Sequence, residues 1–507
     1  MKRILIALLL LVGTSLGAQT LKFKITGLKD TTVNLIKYLG PKLLYADTVQ
    51  SKAGIVIFDG AKHPAGMYAV YLPGGTYFEF IHDKEIVDMS VGNITDLVGS
   101  MKVNKSKNNI VFYEYIYFMT DNKKEMSELT KQYDAAKEGD PIRDTLKARS
   151  VELNKEVITY QKKLIAENQG TFIAMMVLMS MDIELPEAPK DANGVITDSN
   201  FVYNYYINHY WDNVDLKDPR IVNTPVYGNK LDKYFSEQGM IQIPDSIAKY
   251  AIIMLNKMDQ TNPENKVFQY TLSNITNKYS TSQIMGMDKI VWAMGVNYYC
   301  PPSNKAFWMS AENTDKFCER VEKIGRTMIG NYSHMIILPD STETNWINMH
   351  KIVADYTILY FWDPNCGHCK KTTPKLQTLY EKKFKARNIE VFAVAKATGD
   401  DFAAWKKFIR ENGLKFINVG LTKSVYEQAM KDPRPLLQYT NLESLNYSDT
   451  WDVYSTPRIF VLDKDKKILF KQLSISQLEE IMDKLTGHES DAKIFPIEEE
   501  DPEESGQ

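Results

Sequence analysis

Cysteine is scarce in this chain, four residues among 507. A chain of that length buries enough apolar surface for several domains, so its stability rests on cores and not on a disulfide scaffold. Histidine is also rare, at seven residues. Outside position 368, His63, His82, His209, His334, His350 and His488 are scattered and share no metal-ligand spacing with the cysteines, so no metal site is assigned. No charge of one sign dominates: 61 Lys and Arg stand against 64 Asp and Glu, a net charge of −3. No basic patch is interleaved with aromatics, and nucleic acid or an acidic membrane surface is therefore not an expected partner. Beyond the first residues no apolar run approaches the about twenty residues of a membrane span, so a soluble chain is expected.

What is present is Cys366-Gly367-His368-Cys369, after the apolar run Tyr356 to Trp362 and before a helix-like stretch from Lys370 to Phe384. This places a dithiol at a strand-to-helix junction. A thiol attacks a disulfide only as a thiolate, and a helix N-terminus favours that anion, so Cys366 is the expected nucleophile. Cys369, one helical turn on, is expected to resolve the mixed disulfide, while Gly367 and His368 tune the couple. About 30 mV of potential corresponds to roughly 1.4 kcal/mol. Half of a zinc site has the same spacing, but no second CxxC or HxxxH accompanies it. A peroxidase of the same fold uses an isolated peroxidatic cysteine, which the pair argues against.

Downstream, Trp451 to Asp463 reads as a short strand, a proline-marked turn and a buried strand. Pro457 is a candidate cis proline that leaves the backbone of Thr456 to pair with an extended peptide beside the dithiol. Thr456, Pro457 and Trp362 are the expected substrate-binding residues. The alternative for Pro457 is a strand-edge proline.

These residues carry a resemblance. From about Asn331 to Leu485 the chain resembles thioredoxin-fold domains of the TlpA/ResA type, through Tyr360-Phe-Trp-Asp-Pro-Asn-Cys-Gly-His-Cys-Lys-Lys, Pro374, Val391 to Ala395, Trp405 and Thr456-Pro457. The resemblance implies an envelope thiol:disulfide oxidoreductase acting on protein thiols and disulfides, with an electron donor or acceptor in the membrane and no cofactor. CGHC is similar to the tetrapeptide of protein disulfide isomerase, whereas TlpA/ResA relatives mostly reduce, so both directions stay open. Three features depart from the pattern. Asn365 stands where an aromatic residue usually precedes the first cysteine. Tyr360 and Thr372 stand where related proteins carry an acid, leaving the proton acceptor for Cys369 unidentified. A segment near Thr422 to Ser448 reads as an irregular insertion.

Lys2-Arg3, the apolar stretch Ile4 to Val12 and the small residues to Ala18 read as a secretory signal peptide over residues 1–18, which implies the periplasm, with an uncleaved tether as the alternative. No cysteine follows it, which argues against a lipoprotein anchor. Residues 19–111 show short apolar runs separated by Gly, Pro, Asp and Asn, as in an all-β, sandwich-like domain. Residues 112–330 turn to helical periodicity, with Asp140-Pro141 opening a long helix. Residues 331–487 form the expected α/β thioredoxin fold, and 488–507 a solvated acidic tail. This three-part layout is similar to that of secreted multidomain TlpA-like proteins.

Cys300 and Cys318 are read as a structural disulfide, with an electron relay to Cys366 or free buried thiols as alternatives. Met175, Met176, Met179 and Met181 are read as core packing in preference to a Cu(I) site, and the aromatic stretch Phe201 to Trp211 as helix packing in preference to a stacking surface. The competing functional class is an envelope binding protein whose dithiol domain is regulatory. Oligomeric state is not legible from the sequence.

Overall fold

The structure, a computed structural model, describes residues 19–282, 284–453 and 455–496. The expected signal peptide lies outside the described residues. Among those described, no helix is long and apolar enough to cross a membrane. Contacts divide the chain into two compact units, Met1–Gln242 with Ile253–Thr271, and Ile243–Ile252 with Leu272–Gln507.

The first unit begins with eight strands: β1 Thr20–Ile25, β2 Thr32–Leu39, β3 Lys42–Gln50, β4 Ile55–Asp59, β5 Gly66–Tyr71, β6 Tyr77–His82, β7 Val87–Val91 and β8 Met101–Lys105. They form two four-stranded sheets, ordered β4-β1-β7-β8 and β3-β2-β5-β6. Alternation drives this: in β1, Leu21, Phe23 and Ile25 are buried, and Lys22 between them pairs with Asp88. Inward residues of both sheets belong to one core cluster. Strand β3 was not expected from the sequence, because its residues are mostly exposed and show no buried period.

Helices α1 Lys107–Ala135, α2 Ile142–Glu167, α3 Phe172–Ser180, α4 Phe201–His209 and α5 Pro225–Tyr234 follow. Ser106 caps α1 by accepting from the Asn109 amide, and Asp140 accepts from Ile142 at the start of α2. The methionines of α3 are packing residues, with Met176 inside the core cluster and Met175 against it. Tyr210 and Trp211 are buried, and both contact the ring of Tyr234. Two helices, α6 Pro244–Leu255 and α7 Lys266–Ser280, have residues in both units.

The second unit continues with α8 Asp288–Met294 and α9 Ala311–Arg326, then β9 Ile337–Pro339 and β10 Trp346–Asn348. Its centre is a five-stranded mixed sheet of β11 Tyr356–Trp362, β12 Ile389–Ala397, β13 Ile417–Thr422, β14 Arg458–Asp463 and β15 Ile468–Lys471, in the order β13-β12-β11-β14-β15. Strands β11, β12 and β13 run parallel, and β14 and β15 antiparallel. Residues 391–395 of β12 are all 0% exposed because helices cover both faces of the sheet, so this strand reads as a continuous apolar run. One face carries α10 Gly367–Leu379, α11 Asp401–Glu411 and α15 Ile475–Leu485.

The other face corrects the expected irregular insertion. Residues 423–450 fold into α12 Lys423–Lys431, α13 Leu442–Leu445 and α14 Tyr447–Thr450. Val425, Tyr447 and, just beyond, Trp451 close the core on that side. Ser444 accepts from the Ile337 amide at 2.9 Å and ties the segment to β9.

The sequence placed the solvated tail at His488, yet residues 488–496 are held to the domain. Glu479 accepts from the amides of Ile494 and Phe495 at 2.7 Å each, and the two side chains pack on the core. Residues 497–507 lie outside the described residues. Lys471, nearly buried, pairs with Asp288 and donates to the Thr327 carbonyl, which docks the α8 and α9 segment on the sheet edge.

Candidate functional site

The dithiol is positioned by β11 and α10. β11 is pinned between β12 and β14 and delivers the chain to a turn at 363–366. There the Asp363 carboxylate accepts from the Asn365 amide at 2.7 Å. An acceptor two residues behind the amide it binds is the standard device for reversing a chain into a helix. Cys366 takes the N-cap position of α10 with extended φ/ψ, and the helix proper starts at Gly367. Cys366 is partly exposed, Gly367 and His368 are exposed, and Cys369 is 0% exposed.

The two thiols therefore have different surroundings. Burial works against a Cys366 thiolate, but hydrogen bonds from the amide and thiol of Cys369, from Thr456 and from the His368 amide outweigh it, and its pKa is lowered. Burial pushes the Cys369 thiol up to about 12, against a hydrogen bond from the Asp363 amide. That amide lies 3.4 Å from Cys369 Sγ. Cys366 Sγ donates to the Thr456 carbonyl at 3.3 Å, and the Thr456-Pro457 peptide bond is cis. The structure thus brings Thr456 and Pro457, 90 residues away in sequence, to the exposed thiol.

Trp362 is a correction. It was expected at the substrate surface, but its side chain is 1% exposed, stacks on Tyr360 and packs against Phe408 at a centroid distance of 5.2 Å. A continuous apolar strand gives no signal of which face each side chain takes.

Tyr360 occupies the position of the expected acid, and its hydroxyl lies 2.8 Å from Thr373 Oγ1. Thr373 gives its single proton to the Cys369 carbonyl at 2.8 Å, so Tyr360 must donate to Thr373. Burial, then the nearby Cys369, keeps this phenol neutral far above the ordinary range. Its proton is committed to holding α10 on β11.

The acids beside the dithiol come from residues not singled out in the sequence. Lys396, at the end of β12, lies 3.3 Å from Asp363 and 3.7 Å from Asp401, and Asp363 is the main cause of its raised pKa. Asn365 Nδ2 donates to Asp401 at 2.6 Å, so the residue replacing the usual aromatic ties the active turn to α11. Only the place of Asp363, three residues before Cys366, offered a sequence signal. Cys300 and Cys318 are joined as a disulfide, which leaves Cys366 and Cys369 as the two free thiols.

Residues 354–468 match a protein-family model described as Thioredoxin-like. This part of the chain is a thioredoxin-like domain. The domain is similar to a domain of a possible thiol-disulfide isomerase from Cytophaga hutchinsonii, with 31% identity, 32% of this chain and 94% of that chain covered, and a TM-score of 0.25. A thioredoxin-like protein from Bacteroides caccae is similar over 59% of this chain and 97% of its own, at 17% identity and a TM-score of 0.37. A thiol:disulfide interchange protein from a Bacteroides species shows 22% identity over 32% of this chain and 92% of its own, with a TM-score of 0.25. No curated protein matches the chain.

Proposed function

We propose that this chain is an exported thiol:disulfide oxidoreductase that exchanges disulfides with protein substrates through Cys366 and Cys369. The observation that carries the reading is the inequality of the two thiols within a thioredoxin-like domain: one accessible and lowered in pKa, the other buried and raised to about 12. A nucleophile must be ionised and reachable, whereas a resolving thiol must stay protonated until the mixed disulfide forms.

In the reductive direction the Cys366 thiolate attacks one sulfur of the substrate disulfide. A mixed disulfide forms, and the other substrate sulfur leaves as a thiolate that takes up a proton. Cys369 then loses its proton and attacks Cys366 Sγ. The second substrate thiolate is released, the internal disulfide closes, and two electrons have passed to the substrate. Return to the dithiol requires a dithiol donor, for which a protein of the envelope membrane is the proposed class. The reverse sequence oxidises a substrate dithiol.

Asp363 is the proposed acceptor of the Cys369 proton, because its amide already touches that sulfur and its carboxylate is held at the site by Lys396. Thr456 and Pro457 are proposed to hold the substrate strand, since the Thr456 carbonyl faces the nucleophile. Export to the periplasm is supported by the apolar leader with its basic start. The domain boundaries at 111/112 and 330/331 are proposals as well.

The experiment is to equilibrate the purified protein with glutathione mixtures, quantify the thiols of the Cys366/Cys369 couple, and assay disulfide reduction beside a Cys366→Ser variant. A potential near about −270 mV makes the protein a reductase, and one near about −180 mV an isomerase. Equal activity of the Cys366→Ser variant would overturn the reading.

A further inference from the structure

A cavity of about 290 Å³ in the second unit is lined by Arg320 of α9, Arg458 of β14, Asp288 of α8, Asp452, Ser282 and Gln472, among others. Its volume is at the small end of ligand sites, suited to one or two side chains and not to a cofactor. Neither Arg320 nor Arg458 has an ion-pair or hydrogen-bond partner for its guanidinium among the described residues. Of the two carboxylates, Asp288 is already neutralised by Lys471. The charged lining is thus two guanidinium groups, neither of them ion-paired, beside Asp452 and an Asp288 that Lys471 already pairs from outside the cavity.

The position of the cavity gives it a use. Arg458 comes two residues after Thr456, whose carbonyl lies 3.3 Å from Cys366 Sγ. Two residues of extended chain span at most about 7 Å, and a substrate strand laid along Thr456 advances about 3.3 Å per residue. A side chain one to three residues from the substrate's reacting cysteine therefore reaches Arg458. Arginine forks match a carboxylate in bidentate geometry, better than they match any neutral side chain.

We propose that this cavity is a substrate subsite that selects an acidic residue, Asp or Glu, close to the reacting cysteine of the protein substrate. The subsite rests on the oxidoreductase reading for its biological meaning, but not for its binding chemistry. Helix α9 supplies Arg320 from the segment before the thioredoxin-like domain, so that segment has a role in substrate choice.

The test uses the full chain and two short peptides with one cysteine each, identical except for Glu or Lys at the two positions flanking the cysteine. Binding is measured by fluorescence anisotropy on a Cys366→Ser/Cys369→Ser variant, which removes the exchange chemistry. The Glu peptide is expected to bind about tenfold tighter than the Lys peptide, the equivalent of one well-placed charge pair. Arg320→Ala/Arg458→Ala should abolish that difference. Arg320→Ala alone, on an exposed helix position, should reduce it and keeps the test open if the double variant is unstable.

The same peptides, capped as mixed disulfides with thionitrobenzoate, are then offered to the reduced wild-type protein beside 2-hydroxyethyl disulfide. The Glu peptide should react faster, and the arginine variants should leave the rate on the small disulfide unchanged. Equal binding of the two peptides, or a preference that survives both arginine variants, would overturn the subsite. Failure to react with any disulfide while the Glu preference persists in binding would overturn the oxidoreductase reading alone.

Discussion

The thiol of Cys366 and the carbonyl of Thr456 are 3.3 Å apart and hydrogen-bonded. Under the proposed function, a substrate sulfur that displaces this contact would arrive beside a backbone edge able to hold the chain on which it is carried, so that attack and docking share one place. The exposed thiol is the lowered one for a separate reason: burial opposes its thiolate, but the hydrogen bonds that Cys369, the Thr456 side chain and the His368 amide give to its sulfur outweigh that. It sits among donors at the start of α10, while Cys369 is sealed beneath it.

Alkylation should separate the two thiols by pH. Reactivity follows the thiolate fraction, which rises as pH passes the pKa, so Cys366 is expected to react with iodoacetamide at lower pH than an ordinary thiol. Cys369, raised to about 12, should stay unmodified through the neutral range. Mass spectrometry of the reduced protein after timed alkylation reads this directly, and equal labelling of both cysteines at neutral pH contradicts it.

Asp363→Asn should slow the second step and spare the first. The amide side chain keeps the turn but does not accept the Cys369 proton, so mixed disulfides with substrate should persist at least about tenfold longer, a change within the range of general-base effects. Tyr360→Phe is the contrasting variant: it removes one hydroxyl bond to Thr373 and should cost about 0.5–1.5 kcal/mol of stability with little change in resolution. Quenched-flow trapping of the mixed disulfide distinguishes the two.

Acid should weaken the domain through Asp483, which is fully buried and accepts from Lys383, Arg387 and Lys493. Burial raises its pKa, but these three partners more than offset it and hold the carboxyl at about 2 against 3.8 when unfolded. A depressed pKa stabilises the folded state above the unfolded value, and that contribution of about 2 kcal/mol is lost as pH falls from about 4 through 2. Denaturant midpoints across this window should fall for the wild type and much less for Asp483→Asn, which should already be destabilised at neutral pH by leaving buried cations without their partner.

Removing the Cys300–Cys318 disulfide should affect stability and not exchange. The bridge closes a loop with a sequence separation of 18, for which chain entropy gives about 3 kcal/mol. A Cys300→Ser/Cys318→Ser variant is expected to unfold at lower denaturant with the Cys366/Cys369 potential unchanged. A shifted potential would instead connect the two pairs.

Trp451→Ala should cost about 3–5 kcal/mol, because the side chain is 1% exposed and closes the second face of the sheet against Phe361 and Phe460. A loss below about 1 kcal/mol in urea unfolding would return residues 423–450 to the status of a surface loop.

By itself the sequence determined the dithiol, the strand before it, the helix after it, the Thr456-Pro457 turn and most strands of the first unit. Each of these is local: a spacing, a period of two, or a turn residue, readable within a dozen positions. What only the tertiary structure decided depends on which distant segments meet. Trp362 lies in a run buried on both sides, where alternation carries no information about facing. Asp363, Lys396 and Asp401 become one site only because β11 and β12 are parallel neighbours ending at the same edge of the sheet. The polar segment near 422–448 reads as a loop because Val425, Tyr447 and the following Trp451 are its only fully buried hydrophobic residues, yet three such anchors suffice to cover a sheet face. Arg320 and Arg458 carry no local signal at all. They are ordinary surface charges in the sequence, and only the folded chain lines one cavity with both, because charge placement across a fold is set by packing and not by spacing along the chain.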